Sequence, residues 1–455
     1  MSFPRYENYK ESGVEWLGEV PEHWKTASLR WISKRYSGGT PDKLNLEYWT
    51  DGTIPWLNSG AVNEPIITEP SAYISEEALL KSSAKWVPKG ALVMALAGQG
   101  KTKGMVAQLA IKTTCNQSMA AIITTEEIEA RFLYWWLVTN YQNIRNMAGG
   151  DLRDGLNLEL LGNIPCPLLP YQEQQTIAAF LDRETAKIDA LIAEQQRLIE
   201  LLKEKRQSVI SHAVTKGLNP NAPMKDSGIE WLGEVPEHWG LPKLKHFTRF
   251  AGGGTPSRDK LEYWNGDIPW ISPKDMKVEI INSAAEYITQ TGLENSSSSL
   301  RPSGQVLMVV RSGILKHTIP VAITEVPVAL NQDMKALSFT DGSCLNLFFM
   351  RWIQGLNAFL LLAWAKQGAT VESIEHTYLA ETVIPLPPIF EQQTIVAFLE
   401  RETAKLDTLT TEAKTAITLL QERRTALISA AVTGKIDVRG LVSAKAEIEA
   451  ETAPC

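Results

Sequence analysis

One segment of this chain occurs twice, and that repetition limits the fold more than any other feature of the sequence. Residues 12–24 read SGVEWLGEVPEHW and residues 227–239 read SGIEWLGEVPEHW, with Val14 against Ile229 as the one difference. A second island, QQTIAAFLDRETAKIDA at 174–190, returns as QQTIVAFLERETAKLDT at 392–408. The islands keep their order and, to within three residues, their spacing. A module of about 215 residues is therefore written twice, and the fold has to be one architecture built twice.

Between the islands the copies diverge, and only short anchors stay aligned. Gly39-Thr40-Pro41 matches Gly254-Thr255-Pro256, Glu47-Tyr48-Trp49 matches Glu262-Tyr263-Trp264, and Ile54-Pro55-Trp56 matches Ile268-Pro269-Trp270. Later, Asn116-Gln117 with Met119 matches Asn331-Gln332 with Met334. A fixed scaffold around free middles suits a chain that recognises two different objects with one geometry. Neutral drift after duplication is the alternative, but drift alone does not spare the helical islands so selectively.

From Trp24 to Pro170, short apolar runs such as GALVMAL at 90–96 and AAIITT at 120–125 alternate with Gly, Pro and Asn, the pattern of strands in a mixed α/β domain. Residues 126–143 and 343–365 read as helices. Residues 171–214 are different in kind: a Pro precedes them, no Gly or Pro interrupts them, and Ile177, Leu181, Ile188, Leu191, Leu198, Leu202, Val209 and Ala213 fall near a heptad stripe. Such a helix runs about 65 Å, more than one small domain can cover. Residues 391–432 repeat the stripe through Ile395, Leu399, Leu406, Leu409, Ala413, Ile417, Leu420 and Leu427. Leaving both stripes in water is unfavourable, so the helices are expected to pair as a coiled coil, and if the pairing is antiparallel the two mixed domains belong at its opposite ends, related by an approximate twofold axis.

The expected organisation is a repeat segment at 1–24, a mixed domain at 25–170, a central long helix at 171–216, a second repeat segment at 217–239, a second mixed domain at 240–389, a long helix at 390–434 and a tail at 435–455. The fold class is α+β with a pseudo-twofold internal repeat. Duplex DNA has a local dyad of the same kind, and dimeric readers exploit it by setting two elements roughly 34 Å apart.

With 44% hydrophobic and 21% charged residues, the composition is globular rather than disordered. Cys115, Cys166, Cys344 and Cys455 stand singly, which argues against a disulfide framework and a zinc site and fits a reducing cytoplasm. The first residues lack a basic-then-apolar signal pattern, and Arg351, Gln354 and Asn357 interrupt the most apolar stretch at 348–365. Neither secretion nor a membrane span is expected, and a cytoplasmic location is. A net charge of -7 does not by itself suggest nucleic acid. The middles are nearly neutral, however, with 14 Lys+Arg against 13 Asp+Glu in 25–170 and 13 of each in 240–389, so each can present a basic face.

Taken together, these motifs resemble the specificity subunit of type I restriction-modification systems. The resemblance rests on SGxEWLGEVPEHW, on the GGTP and IPW anchors, and on a Pro-Leu-x-Pro-x-x-Glu-Gln start to each long helix. Here that start stands as Pro167-Leu168-Leu169-Pro170 with Glu173-Gln174, and as Pro385-Leu386-Pro387-Pro388 with Glu391-Gln392. It covers nearly the whole chain and implies two target recognition domains, each reading one half of a bipartite, asymmetric target in double-stranded DNA, with an antiparallel coiled-coil spacer of the two long helices fixing the gap. It also implies docking with two methyltransferase (modification) subunits, and with restriction/translocase subunits in the full complex. The methyl donor and ATP then belong to those partners and no cofactor to this chain. In agreement, the sequence carries no Asn-Pro-Pro-Phe/Tyr methyltransferase motif, donor loop or helicase signature. A noncatalytic subunit is expected; the alternative is a helical scaffold or adaptor that reads no DNA sequence.

One motif misleads. ALAGQGKT at 95–102 comes within one residue of a phosphate-binding P-loop, with Ala95 where the first Gly is required. The aligned RSGILK at 311–316 abandons the pattern, and residues 103–106 run toward a strand, so a loop between strands fits better than an ATP site. Such a loop, carrying Lys101 and Lys103 in one copy and Arg311, Ser312 and Lys316 in the other, can approach a phosphate or a guanine edge. With Thr40, Ser59 and Lys274 these complete the expected DNA-contact set, a solvated turn being the alternative. Asn116-Gln117 and Asn331-Gln332 are of the type that reads adenine. Their identity in both copies points instead to structural hydrogen bonding, because residues that discriminate different sequences should differ. The same logic places Trp56 and Trp270 in the core. His23 and His238 each sit between Glu and Trp, with no histidine cluster of metal or triad type, and read as caps or packing elements at the domain junction, a subunit contact being the alternative. Asp151 and Asp154 lack a Lys at nuclease spacing, and Ala369-Thr370-Val371 replaces them in the second copy, so no catalytic or metal residue is expected.

Overall fold

A computed structural model describes residues 3–98, 101–147, 155–368 and 370–441. Gln99, Gly100, Asp151, Asp154, Ala369 and Cys455, which entered the reading of the sequence, lie outside the described residues. The chain divides into two compact units, Met1–Gln195 with Thr415–Cys455, and Gln196–Lys414. This partition differs from a linear run of segments, because the boundary falls inside both long helices and each unit takes part of each.

The first unit holds a five-stranded sheet in the order Ser33–Ser37, Met119–Thr124, Leu92–Ala95, Val106–Leu109, Ile66–Ile67, antiparallel except for the last pair. A smaller sheet orders Thr114–Cys115, Ile54–Leu57 and Ala72–Ile74. The second unit repeats both. Its larger sheet runs Thr248–Gly252, Met334–Phe339, Val306–Val309, Val321–Thr324, Ile280–Ile281, and its smaller one Glu286–Ile288, Trp264–Ile271, Ala329–Leu330. The copies have thus kept one topology while their sequences diverged.

The two-residue period of a strand explains why the apolar run at 92–95 is fully buried. Leu92 and Met94 join the core built on Phe132, Leu133 and Trp136, whereas Val93 and Ala95 join a second core with Leu57, Val87 and Ala121 on the opposite face. A central strand covered on both faces has no position for a polar residue.

The helices expected at 126–143 and 343–365 are each broken in two. Asn140 separates Ala130–Thr139 from Tyr141–Asn146, its side chain turned back onto the carbonyl of Trp136. Leu356 separates Asn346–Gly355 from Asn357–Trp364, with a bend of 85°. Among the described residues no single helix is long and apolar enough to cross a membrane.

The long helices run Tyr171–Lys216 and Ile389–Val432. Gly217, at φ +74°, ends the first in the left-handed conformation that glycine adopts without strain. Each unit by itself shows an antiparallel pairing. In the first, Glu173 lies by Tyr6, whose ring meets Arg439, and farther along the helix Asp189 meets Arg424 at 2.8 Å. In the second, Asp407 meets Arg206 at 3.4 Å, and Glu391 and Ile395 line a cavity with Lys216 and Gly217. Asp189 and Asp407 are equivalent in the repeat, as are Arg424 and Arg206, so each unit holds the same ion pair. The stripe is less complete than its spacing suggests. Ile177, Leu181, Ile188, Leu202, Ile395 and Leu399 are buried, but Leu191 and Leu198 are 45% and 40% exposed and Leu409, the equivalent of Leu191, is 46% exposed; outside the stripe, Leu201 and its equivalent Leu419 are exposed as well.

The repeated islands meet at the start of each long helix. Glu173 accepts hydrogen bonds from Tyr6 Oη (2.7 Å), His23 Nε2 (2.9 Å) and Trp24 Nε1 (3.0 Å), and Glu391 takes His238 Nε2 (2.6 Å) and Trp239 Nε1 (3.0 Å). Beside them Gln174 accepts from the Glu129 amide and donates to the carbonyls of Glu127 and Leu169. Gln392 likewise accepts from Leu345 and donates to Ser343 and Pro387. Both side chains are fully buried, so each hydrogen bond satisfies a group that water cannot reach. The glutamines weld each long helix to its mixed domain, and the glutamates, through the His-Trp pairs, join it to the repeat segment.

Candidate nucleic-acid interface

Strand register decides which loops come together. In the first unit Ala120 stands opposite Ser37, Met119 opposite Ala95, and Met94 opposite Val106. The loops 38–41 and 116–118, and residues 96–98 and 101–105, therefore leave the five-stranded sheet at one end. The Leu57 carbonyl accepts from the Asn116 amide at 2.9 Å, which adds the turn at 58–63 to the same rim. The second unit repeats the arrangement, with Gly252 opposite Lys335, Val309 opposite Met334 and Met308 opposite Val321. Its loops 253–256, 331–333 and 310–320 gather likewise, and the Ile271 carbonyl accepts from Asn331 at 2.9 Å, bringing in the turn after Ile271.

The retained anchors lock this rim. A Cβ on Gly38 would lie 1.9 Å from the Cys115 carbonyl oxygen, and one on Gly253 would lie 2.1 Å from that of Leu330, so only glycine allows the two loops to touch. Trp56 Nε1 donates to the Gly39 carbonyl and Trp270 Nε1 to that of Gly254, each at 3.0 Å. Both indoles are buried, as expected of core residues. The Asn116 and Asn331 side chains each accept from the backbone amide two residues on, closing the turn that carries Gln117 or Gln332. The asparagines are therefore structural, whereas both glutamines are exposed.

Every expected DNA-contact residue falls on one of the two rims, with one correction. In the first unit Lys101 is exposed, Thr40 and Ser59 are partly exposed, and Lys103 is only 4% exposed. Lys103 is thus not presented to a ligand. Its backbone carbonyl accepts from Arg145 of the helix Tyr141–Asn146, and Gly104, at φ +87°, turns the chain inward into the strand Val106–Leu109. A strand follows this loop where a nucleotide-binding loop requires a helix.

In the second unit Lys274, Arg311 and Lys316 are exposed. Arg311 is paired with Asp333 at 2.6 Å and Lys316 with Glu372 at 3.3 Å, while Ser312 caps the short turn Gly313–Lys316. A backbone hydrogen bond, and then Lys316, hold the Glu372 carboxyl below its usual range. Reading the sequence missed Arg258. Its guanidinium lies 3.9 Å from the Trp264 ring and is paired with Glu286 through both terminal nitrogens, fixed beside the Thr255 loop. The signal was the cation three residues past Thr255, hidden because the other copy carries Lys43 there. Two rims of one construction, with different cations and different loops, can approach two different stretches of a polyanion. Among the described residues no cluster of metal-ligating side chains occurs.

Comparison with known proteins agrees with this construction. The model of the type I restriction modification DNA specificity domain matches twice, at residues 21–201 and 236–419. The EcoR124I/EcoR124II specificity subunit of Escherichia coli is 36% identical over 54% of this chain and 55% of its own length. The MjaIX specificity subunit of Methanocaldococcus jannaschii is 31% identical over 37% of this chain and 38% of its own. The chain thus spans about half the length, or less, of these two relatives. The putative MjaX specificity subunit, 23% identical, is matched over 96% of this chain and 99% of its own length. Among solved structures, a chain from work on assembly and conformational transition of the type I R-M system matches with a TM-score of 0.72 at 16% identity, over 91% of this chain and 98% of that one. The HsdS subunit from Thermoanaerobacter tengcongensis matches with a TM-score of 0.57 at the same identity, over 91% of this chain and 98% of its own. At that identity these structures speak to the fold alone.

Proposed function

Because the chain belongs to the type I restriction-modification DNA specificity family, we propose that it is the noncatalytic subunit that gives such a complex its target. Each rim reads one half of a bipartite, asymmetric sequence in double-stranded DNA. The long helices set the gap and dock two methyltransferase subunits, and restriction subunits in the full complex. The methyl donor and ATP are held by those partners.

One observation carries this reading: the same rim is built twice by the same anchors, while the residues it presents differ. Lys101 stands on one, and Arg311, Ser312 and Lys316 on the other. Side chains that stand on loops of one common rim and differ between copies are suited to reading different base edges. The helices support the docking part. Leu191 and Leu201 on one, and Leu409 and Leu419 on the other, are exposed at equivalent positions, as two copies of one partner would require.

The test is to assemble the chain with its methyltransferase subunits and map the methylated adenines. A two-part target is expected, and replacing residues 25–170 by those of a related chain should change one half and leave the other. Methylation without a bipartite target, or unaltered by the replacement, would favour a scaffold that reads no sequence.

A further inference from the structure

Both rims share one exposed polar contact. Thr40 Oγ1 donates to Gln117 Oε1, and Thr255 Oγ1 donates to Gln332 Oε1. The threonines follow glycines that admit no Cβ, and the glutamines follow asparagines whose side chains close the turn, so four backbone positions are fixed in each unit. With its oxygen engaged, each amide is oriented, and among the described residues its nitrogen has no hydrogen-bond partner. Each glutamine thus holds two N–H donors toward solvent at the same place on the rim.

Packing does not account for this pair. An exposed hydrogen bond between neutral groups replaces one with water and adds little to stability. Base reading does not account for it either, since the copies differ wherever they would read different bases. An exposed group that is identical on both rims has to face something the two half-sites have in common. The sugar-phosphate backbone is common to them, and neutral amides are regular donors to phosphate oxygens, fixing register without carrying sequence information.

We propose that Gln117 and Gln332, oriented by Thr40 and Thr255, each donate an amide N–H to a backbone phosphate at equivalent positions of the two half-sites. The contact is a sequence-independent register mark that lets unlike loops approach their bases from one fixed height. It rests on the reading of the rims as the DNA-binding surface. The methyltransferase subunits are also common to both halves, but the pair lies between the diverged loops at the sheet end. Lys101 is on the neighbouring loop, and Arg311 is bonded to Asp333, the residue after Gln332. The equivalent exposed leucines are on the long helices instead.

The test uses full-length chains carrying Gln117→Ala, Gln332→Ala or Lys101→Ala, assembled with methyltransferase subunits. Duplexes contain the mapped target, or single base changes in either half, and binding is measured over a range of salt. Each glutamine variant is expected to bind about tenfold more weakly, the scale of one hydrogen bond to a charged group. The loss should be equal for target and altered duplexes. The slope against salt should not change, since a neutral amide releases no counterion, whereas Lys101→Ala should lower it by about one. A methylphosphonate at the contacted phosphate should erase the difference between Gln117→Ala and the parent. Unchanged binding by both glutamine variants, or a loss confined to one base pair, overturns the contact. Failure to assemble, with normal DNA binding in what does assemble, assigns the glutamines to the protein partner and overturns it too. A parent complex that binds no DNA overturns the reading of the rims and the contact with it, while a parent that discriminates beside variants that match it overturns the contact alone.

Discussion

Removing the acceptor at the start of the first long helix should harm the first unit far more than the same change harms the second. Glu173 is 6% exposed and serves Tyr6, His23 and Trp24, of which Trp24 is fully buried and Tyr6 is 6% exposed. Burial, and then the hydrogen bond to Glu173, push the Tyr6 hydroxyl far above its ordinary pKa, so it is a committed donor. In Glu173→Ala two buried donors lose their partner, at about 1–3 kcal/mol each, or roughly 2–6 kcal/mol together. The Glu391 side chain is 37% exposed and that of His238 is 48% exposed, so water can replace them, and only Trp239 is left without an acceptor. Glu391→Ala should therefore cost about 1–2 kcal/mol. Hydrogen exchange of the amides in 173–185 and in 391–403 reads the two openings separately, which a global melt of a two-unit chain does not. The expected difference is about 2 kcal/mol, roughly a thirtyfold change in protection. Adding Tyr6→Phe to Glu173→Ala should recover part of the loss by deleting a stranded donor. Equal losses in the two units, or a larger one for Glu391→Ala, would refute the reasoning.

On the second rim, Asp333 offsets the charge of Arg311, so Asp333→Asn should tighten binding to non-target duplex and steepen its salt dependence, and a filter-binding series showing weaker binding would contradict this. Burial holds the Cys115 thiol at about 12 and raises those of Cys166 and Cys344 as well. In a Cys455→Ser chain a thiol reagent at about pH 8 should therefore label nothing until the protein unfolds, and rapid labelling of any of the three would contradict the packing. Hydrogen bonds from Lys243 and then Lys245 bring the Glu381 carboxyl down to about 2. A depressed carboxyl contributes stability that is full above the ordinary Glu range, about 4.3, and is lost as pH falls toward 2. The difference in urea midpoint between the parent and Glu381→Gln should accordingly be largest near neutral pH and shrink below about pH 4.5; a pH-independent difference would exclude the assignment.

Much of the fold was legible because repetition separates what the architecture needs from what it tolerates. The long helices were visible from uninterrupted spacing, and Trp56 and Trp270 from being kept in both copies. The breaks at Asn140 and Leu356 are not apparent from spacing, because the apolar residues on either side carry the helical pattern past Thr139-Asn140 in one copy and past Gln354-Gly355 and Asn357 in the other. Lys103 misled for a related reason. A lysine beside Gly in a loop reads as exposed, and only the positive φ of Gly104 and the contact with Arg145 show that the chain has turned inward. Heptad spacing likewise marked Leu191 and Leu409 for burial, because spacing names a face but not what covers it. Identity in both copies points to a structural role for the whole Asn-Gln pair. The asparagine is structural; the glutamine is not buried, and one-dimensional identity cannot separate the two roles.

The asymmetry between Glu173 and Glu391 follows from how each unit joins its helix end to its repeat segment. In the second unit the chain runs directly from Lys216 through Gly217 to the strand Met224–Asp226, and this short link holds the helix end against the segment. Closing so short a loop costs little entropy. In the first unit the corresponding pieces come from opposite parts of the sequence. The Asp437 amide donates to the Pro4 carbonyl at 2.8 Å, and Tyr9 Oη donates to the Gly434 carbonyl at 3.0 Å. No short covalent link supplies the proximity there, so side chains must. Tyr6 reaches Glu173, Arg439 lies over the Tyr6 ring at 4.9 Å, and Asp437 pairs with Arg439 at 2.7 Å. The second copy has Asn221 where the first has Tyr6, and its Asn219 merely closes a turn. The extra buried hydrogen bond and ring contact thus stand where the covalent link is missing, which is why the same glutamate is more deeply committed in the unit that has to be closed by contact alone.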